Sequence, residues 1–437
     1  GIPGVAMVNQ PHREFVYRAA YEVGRYPIGY EVQKIRSLVD WFVKGDQKAT
    51  GIIGYGEGGL LAMYTAAVDT RIDVTVVSGY FEPREMLYRE PIYRNIYGLL
   101  NEFGDAEIAS LIAPRTLIVE TCRHPAVSGP PPATGSRSDH AAPGKITTPA
   151  PARVETEFDR ALMLIGGMKD SFHLMLDHEG IDEPGRPATI SSLVRNLTGN
   201  QEFALPQGSA LSVSPHFHAD ASRQERQVSQ VLDHTQYLMR ESKYAREDFW
   251  AEADRSSVES WVESSEKYRE CFRNDLVGRL PDPTAPLNPR TRQVYETEFF
   301  TGYEVVIDVF EDVFAYGILL IPKDLPEGER RPVVVCQHGL EGRPQEVADP
   351  DLDHEAYHRY ACTLAERGYI TYAPQNPYIG GHTFRELLRK AHPIKQSLYG
   401  FIVRQHERTL EWLASLPYVD PSRLAFYGLS YGGKTAM

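Results

Sequence analysis

The chain is poor in the features that would settle its class at a glance. It has only four cysteines (Cys122, Cys271, Cys336 and Cys362), far apart and without a CxxC pair, so neither a disulfide framework nor a cysteine zinc site is indicated. They read as buried thiols. No stretch approaches the roughly 18 consecutive apolar residues of a membrane span. Basic residues are outnumbered, 46 against 59 acidic, and the resulting net charge of −13 with no basic stripe disfavours nucleic acid as a partner. The first residue is Gly1, and no charged segment leading into an apolar run opens the chain. The expectation is a chain shortened at its start, which leaves the compartment open. What remains is an apolar content of 42% and a charged content of 24%, the balance of a soluble globular protein long enough, at 437 residues, for two or three domains.

Patterning divides the chain in three. Val32, Ile35, Leu38, Val39 and Phe42 recur at helical spacing and predict an amphipathic helix over 31–43 whose apolar face packs on a sheet. Strands are predicted at 49–54, 73–78, 114–120 and 172–177, with helices at 59–68, 155–164 and 190–197 between them. Apolar runs without polar alternation suit parallel strands buried on both faces. Residues 129–151, rich in Pro, Gly, Ala and Ser, read as a flexible insertion. Residues 206–298 read as a helical connector, with helices lined by Val228, Val231, Thr235 and Leu238 and by Val258, Trp261, Val262, Tyr268 and Phe272. Ser256 and Glu259 suggest a capping box for the second of these. From 299 the α/β pattern returns. A hairpin (303–310 and 315–321, joined by Glu311-Asp312) precedes strands at 332–337, 369–373 and 423–428, with helices at about 355–367, 383–391 and 397–415.

Two passages repeat one another. The helix with Trp41 precedes the strand and glycines Gly54-Tyr55-Gly56-Glu57-Gly58-Gly59, and the helix with Trp412 precedes Gly428-Leu429-Ser430-Tyr431-Gly432-Gly433. Helix, strand and G-x-[S/G]-x-G-G in the same order argue for two copies of one domain. Both passages resemble the α/β-hydrolase superfamily, and the second is similar to its dienelactone hydrolase and acetyl xylan esterase branch. That resemblance is carried by Val335-Cys336-Gln337-His338-Gly339-Leu340-Glu341-Gly342, Asn376-Pro377-Tyr378, Val419-Asp420-Pro421-Ser422-Arg423 and the Ser430 motif, and in the first copy by Leu111-Ile112-Ala113-Pro114-Arg115. It implies two doubly wound, mostly parallel α/β-hydrolase-like sheets, both incomplete: residues 1–205 as a degenerate domain lacking its N-terminal part, and 299–437 as the N-terminal half of a second, with the connector between.

The resemblance also assigns roles. Ser430, on a tight strand-to-helix turn, is the nucleophile of a serine ester hydrolase that passes through an acyl-enzyme. The backbone N–H groups of Tyr431 and Leu340 are the oxyanion donors. His338 precedes the nucleophile and reads as part of the oxyanion loop, since the superfamily order is Ser, acid, His. Only seven residues follow Ser430, so the acid and the base are expected beyond Met437 and the chain by itself is expected to be impaired. In the first copy Gly56 stands at the nucleophile position and cannot attack. Its acid position reads Thr121-Cys122-Arg123-His124-Pro125, without a carboxylate, with Glu82 the nearest substitute. His178 occupies the histidine's place as a relic base or a surface residue. Glu57 reads as a solvated carboxylate on an exposed turn. Docking of the halves, with His178 and Glu82 or Glu120 lent to Ser430, would leave one elbow strand surplus. His216-Phe217-His218-Ala219-Asp220 reads as a polar loop in preference to a zinc site, and His382 as a loop histidine. No cofactor or metal is expected. The expected partner is a small-molecule or carbohydrate ester, with no nucleic acid and no membrane. A serine peptidase of the prolyl oligopeptidase type is the nearest enzymatic alternative, and a non-catalytic scaffold is the alternative from another class.

Overall fold

The computed structural model describes all residues except 1–6, 44–48, 136–137, 179–181, 204, 206–220 and 381–382, and the side chain of Ala221. The chain is mixed α/β and separates into two compact units: Gly1–Ser264 with His392–Lys395, and Ser265–Ala391 with Gln396–Met437. The division falls inside the helix Val258–Cys271, so the predicted connector is shared between units. Among the described residues no helix is long and apolar enough to cross a membrane. Cys122, Cys336 and Cys362 are buried, as expected, whereas Cys271 is half-buried.

The first unit holds a four-stranded parallel sheet in the order β1-β2-β3-β4, with β1 Gly51–Tyr55, β2 Val74–Ser78, β3 Thr116–Glu120 and β4 Phe172–Met175. Every residue of β2 is buried, as its unbroken β-branched run requires. Helices Glu57–Val68, Pro151–Ile165 and Pro187–Thr198 alternate with the strands. The helix Pro27–Phe42 forms where the periodicity places it, with Pro27 in its first turn, but it buries Ile28 and Val39 while Leu38, Trp41 and Phe42 stand exposed. Helical spacing identifies the apolar face; it does not say how much of that face is covered.

A helix missed by the sequence reading, His12–Tyr21, buries Val16, Tyr17 and Ala20. It also anchors the proline- and glycine-rich stretch 129–151. Ala142 N–H donates to Glu14 Oε1 at 2.8 Å, and ahead of the helix Asn9 Oδ1 accepts from His140 N–H at 2.8 Å. Among its described residues before Pro151, where a helix begins, that stretch has no helix or strand, yet Ala142 and Ile146 are buried and Ile146 bridges to Val127. The helix Val258–Cys271 is capped one residue later than predicted: the Ser257 hydroxyl accepts from Ser260 N–H at 3.0 Å, while Ser256 is engaged by Asp254. Of that helix's predicted apolar line only Tyr268 is buried; Val258 and Val262 are exposed.

The second unit holds a six-stranded mixed sheet in the order β10 (Val419–Gly428), β8 (Arg331–Gln337), β9 (Ile370–Pro374), β7 (Val313–Pro322), β6 (Phe300–Phe310), β5 (Arg290–Glu296). The predicted hairpin is β6 Phe300–Phe310 with β7 Val313–Pro322, antiparallel, and β8 Arg331–Gln337, β9 Ile370–Pro374 and β10 Val419–Gly428 run parallel. The edge strand β5, Arg290–Glu296, lies where a helical connector was expected. It is almost wholly exposed and joined to β6 by cross-strand ion pairs, Arg290–Asp308 at 2.6 Å and Arg292–Glu304, and so carries no hydrophobic signal. Tyr372, Trp412 and Leu413 fill the core between this sheet and the helix Leu398–Ser415.

Candidate active site

In the second unit β10 ends at Gly428 and the helix Tyr431–Ala436 begins two residues later, so Ser430 stands at the junction. Its backbone has φ 54° and ψ −114°, a conformation that an L-residue adopts only under constraint, at about 1–3 kcal/mol. The glycines around it supply that constraint. A side-chain carbon at 428 would collide with the Gly432 backbone, and one at 432 would lie 2.6 Å from Gln337 O and 2.7 Å from His338 O. The first turn of the helix is therefore pressed onto the end of β8. A carbon at Gly339 would be 3.9 Å from Ser430 Cβ, so the His338-Gly339 loop borders the serine.

That loop is held by side chains from inside and outside the motifs. Gly339 N–H donates to the Tyr357 hydroxyl at 2.8 Å, and the Tyr378 hydroxyl donates to Leu340 O. Asn376, from the Asn-Pro-Tyr motif, reaches Tyr378 Oη and Gln337 Nε2 at 3.4 Å each. His338 is fully buried with Nδ1 2.7 Å from Gly339 O, and burial lowers its imidazole pKa. Behind it His406 packs edge-on against Phe426 of the elbow strand at 5.0 Å, its pKa brought down to about 4 by burial. Asp420 Oδ1 accepts from Ser422 N–H at 3.0 Å and its Oδ2 from Arg423 Nε at 2.6 Å, which accounts for the Asp-Pro-Ser-Arg turn entering β10. Among the described residues Ser430 Oγ has no hydrogen-bond partner.

The first unit contains the same turn. Gly56 joins β1 to the helix Glu57–Val68 with φ 55° and ψ −117°, within three degrees of Ser430, and a carbon at Gly54 would collide with the Gly58 carbonyl. The space above it is occupied. A carbon at Gly56 would lie 3.2 Å from His124 Nε2, and that nitrogen is 3.2 Å from Arg94 Nη2. The guanidinium can only donate, so Nε2 accepts and Nδ1–H donates to Pro125 O at 2.6 Å. Burial, and then Arg94, lower the His124 pKa.

Glu57 differs from the solvated carboxylate expected. It accepts from Arg94 Nε at 2.8 Å and pairs with Arg13, and Arg94 in turn meets Glu90 at 2.8 Å. Burial raises the Glu57 pKa, but Arg94 and Arg13 outweigh it and hold the carboxyl below its usual value. The remaining candidates are scattered. His178 is exposed in a bend after β4. Glu82 pairs with Arg153 at 2.8 Å. Glu120 is buried and accepts from Ser78 Oγ at 2.6 Å, Thr189 Oγ1 at 2.5 Å, Gly185 N–H at 2.9 Å and Arg186 N–H at 3.0 Å. Those bonds tie the loop after β4 to the end of β3. The histidine the structure brings to the elbow is thus His124. Residues 216–220 and His382 lie outside the described residues, among which no group of three or more His, Cys, Asp and Glu could hold a metal ion.

No protein-family model matches the chain, and none of the curated proteins matches it. Solved structures do. A protein of Bacteroides fragilis NCTC 9343 assigned as an acetyl xylan esterase is 17% identical, over 40% of this chain and 49% of its own, with a TM-score of 0.35. The acetyl xylan esterase of Paenibacillus sp. R4 is 22% identical over 35% of this chain and 49% of its own, with a TM-score of 0.26. A glucuronoyl esterase of Solibacter usitatus is 14% identical over 41% and 55%, with a TM-score of 0.31. The chain spans about half the length of these structures.

Proposed function

We propose that the protein is a serine ester hydrolase of the α/β-hydrolase type in which Ser430 is the nucleophile and the first unit is a degenerate copy. The observation that carries this is the backbone of Ser430: an L-residue held at φ 54° on a strand-to-helix turn, beside a His-Gly loop. Strain of this kind persists where a function needs the side chain lifted out of the chain's path. Ser430 Oγ attacks an ester carbonyl carbon as its proton passes to a general base. The carbonyl oxygen becomes an oxyanion facing the N–H groups of Tyr431 and Leu340, the alcohol leaves carrying the proton, and water hydrolyses the acyl-enzyme by the reverse sequence. His338, buried and turned onto Gly339 O, is not the base in this reading. The motif resemblance favours acetyl esters of small molecules or carbohydrates. The first unit has Gly56 at the same turn and His124 over it, which suits a packing or regulatory role. In the full-length protein, Ser430→Ala should lower hydrolysis of a chromogenic acetyl ester by at least about 10³-fold. Activity unchanged in that variant contradicts the reading, and cleavage of peptide substrates in preference to acetylated sugars would move it to a serine peptidase.

A further inference from the structure

The elbow at Ser430 is almost without side chains. Gly428, Gly432 and Gly433 surround it and Leu429 is exposed, so Tyr431 is the residue through which the turn grips its unit. Its ring packs against the buried cluster of Tyr378, Leu398 and Ile402 and stacks on Tyr399, centroids 5.2 Å apart and planes 17° from parallel. Tyr399 is itself fixed at its root. It sits in the first turn of the helix Leu398–Ser415, and its N–H donates to the capping Ser397 hydroxyl at 3.1 Å, which in turn donates to Val277 O at 2.6 Å. A capped eighteen-residue helix therefore offers a fixed ring to the residue that follows the nucleophile. The first unit solves the same problem with charge: the residue after Gly56 is Glu57, held by Arg94 and Arg13. Both elbows anchor this one position.

We propose that Tyr399 is a positioning residue for the Ser430 site: by stacking on Tyr431 it fixes the Tyr431 N–H that meets the oxyanion. This rests on the hydrolase reading above. An amide moved by a fraction of an ångström loses stabilisation that exists only in the transition state, so the acylation rate should fall while ground-state binding does not. The test uses the full-length protein and follows Ser430 labelling by a fluorophosphonate and kcat and KM on a chromogenic acetyl ester, all per folded protein by near-UV circular dichroism. Tyr399→Phe, which keeps the ring, should stay within about twofold of wild type. Tyr399→Ala, and Tyr399→Leu as the better-filled variant, should lower labelling and kcat by about tenfold to a hundredfold with KM nearly unchanged. Wild-type rates in Tyr399→Ala and Tyr399→Leu, or an equal loss in Tyr399→Phe, would overturn the role while leaving Ser430 as nucleophile. Wild-type protein without label on Ser430 would overturn both.

Discussion

At Gly56 and at Ser430 the main chain makes the same turn, within three degrees in φ and ψ, with glycines two residues before and two residues after. The surroundings differ in kind. Around Ser430 they are neutral and aromatic: Tyr399 stacked on Tyr431, Phe426 against His406, and a His-Gly loop tied by tyrosine hydroxyls. Around Gly56 they are ionic, Arg94, Arg13, Glu57 and Glu90, with His124 filling the place a nucleophile would take. Two properties that the proposed hydrolase reading combines are here separate. The shape of the elbow comes from close strand and helix approach at glycine and survives without a nucleophile. The capacity for acyl transfer depends on which side chain stands at the strained residue and on what shares its space.

Removing the charge from one elbow should have the largest effect. Glu57→Gln leaves the buried Arg94 with Glu90 as its one carboxylate partner and should cost about 3 kcal/mol, the low end for a broken buried pair because that partner remains. Urea unfolding measures it, and a loss below about 1 kcal/mol would mean that the ion network does not hold the turn.

Acid should then weaken the second unit through His406. The folded protein binds the proton only near pH 4, whereas the unfolded chain binds it near the ordinary histidine value of about 6.5. Between those values the unfolded state holds more protons, so this contribution is complete above about pH 6.5 and is lost progressively as pH falls to 4, by about 3 kcal/mol in all. His406→Gln should flatten that part of the urea-stability profile.

Exchanging the two central residues should give the smallest shifts, of opposite sign. Gly56→Ser places an L-residue at φ 55° and a carbon 3.2 Å from His124 Nε2, and should destabilise by about 1–3 kcal/mol. Ser430→Gly relieves strain and should stabilise by about 1 kcal/mol while removing the proposed nucleophile. Equal signs for the two variants would mean that the elbows are not equivalent in strain.

Much of this fold is legible in the residue order. Val74–Ser78 and Ile370–Pro374 are short runs without charge or polar alternation, which suit a strand buried on both faces, and the hairpin follows from two β-branched runs around Glu311-Asp312. Residues 290–296 escape the same reading because that edge strand is secured by arginine–carboxylate pairs and not by burial. For the site, Ser430, Gly339 and Tyr378 belong to local motifs and can be found as such. Tyr399 and His124 cannot: one lies thirty-two positions before its partner ring and the other sixty-eight after Gly56, and only the assembled units bring them to the turns. Glu57 reads as solvated for the same reason, since the arginines that pair with it come from other parts of the chain.

The central claim is that of two matching elbows one carries the chemistry. Its most direct measurement is the stoichiometry and position of fluorophosphonate labelling in the full-length protein, read by intact-mass and peptide mass spectrometry. The account predicts a label on Ser430, none in residues 1–264, and none at either elbow in Ser430→Ala. A label within the first unit, or a folded wild-type protein that leaves Ser430 unmodified, would contradict it.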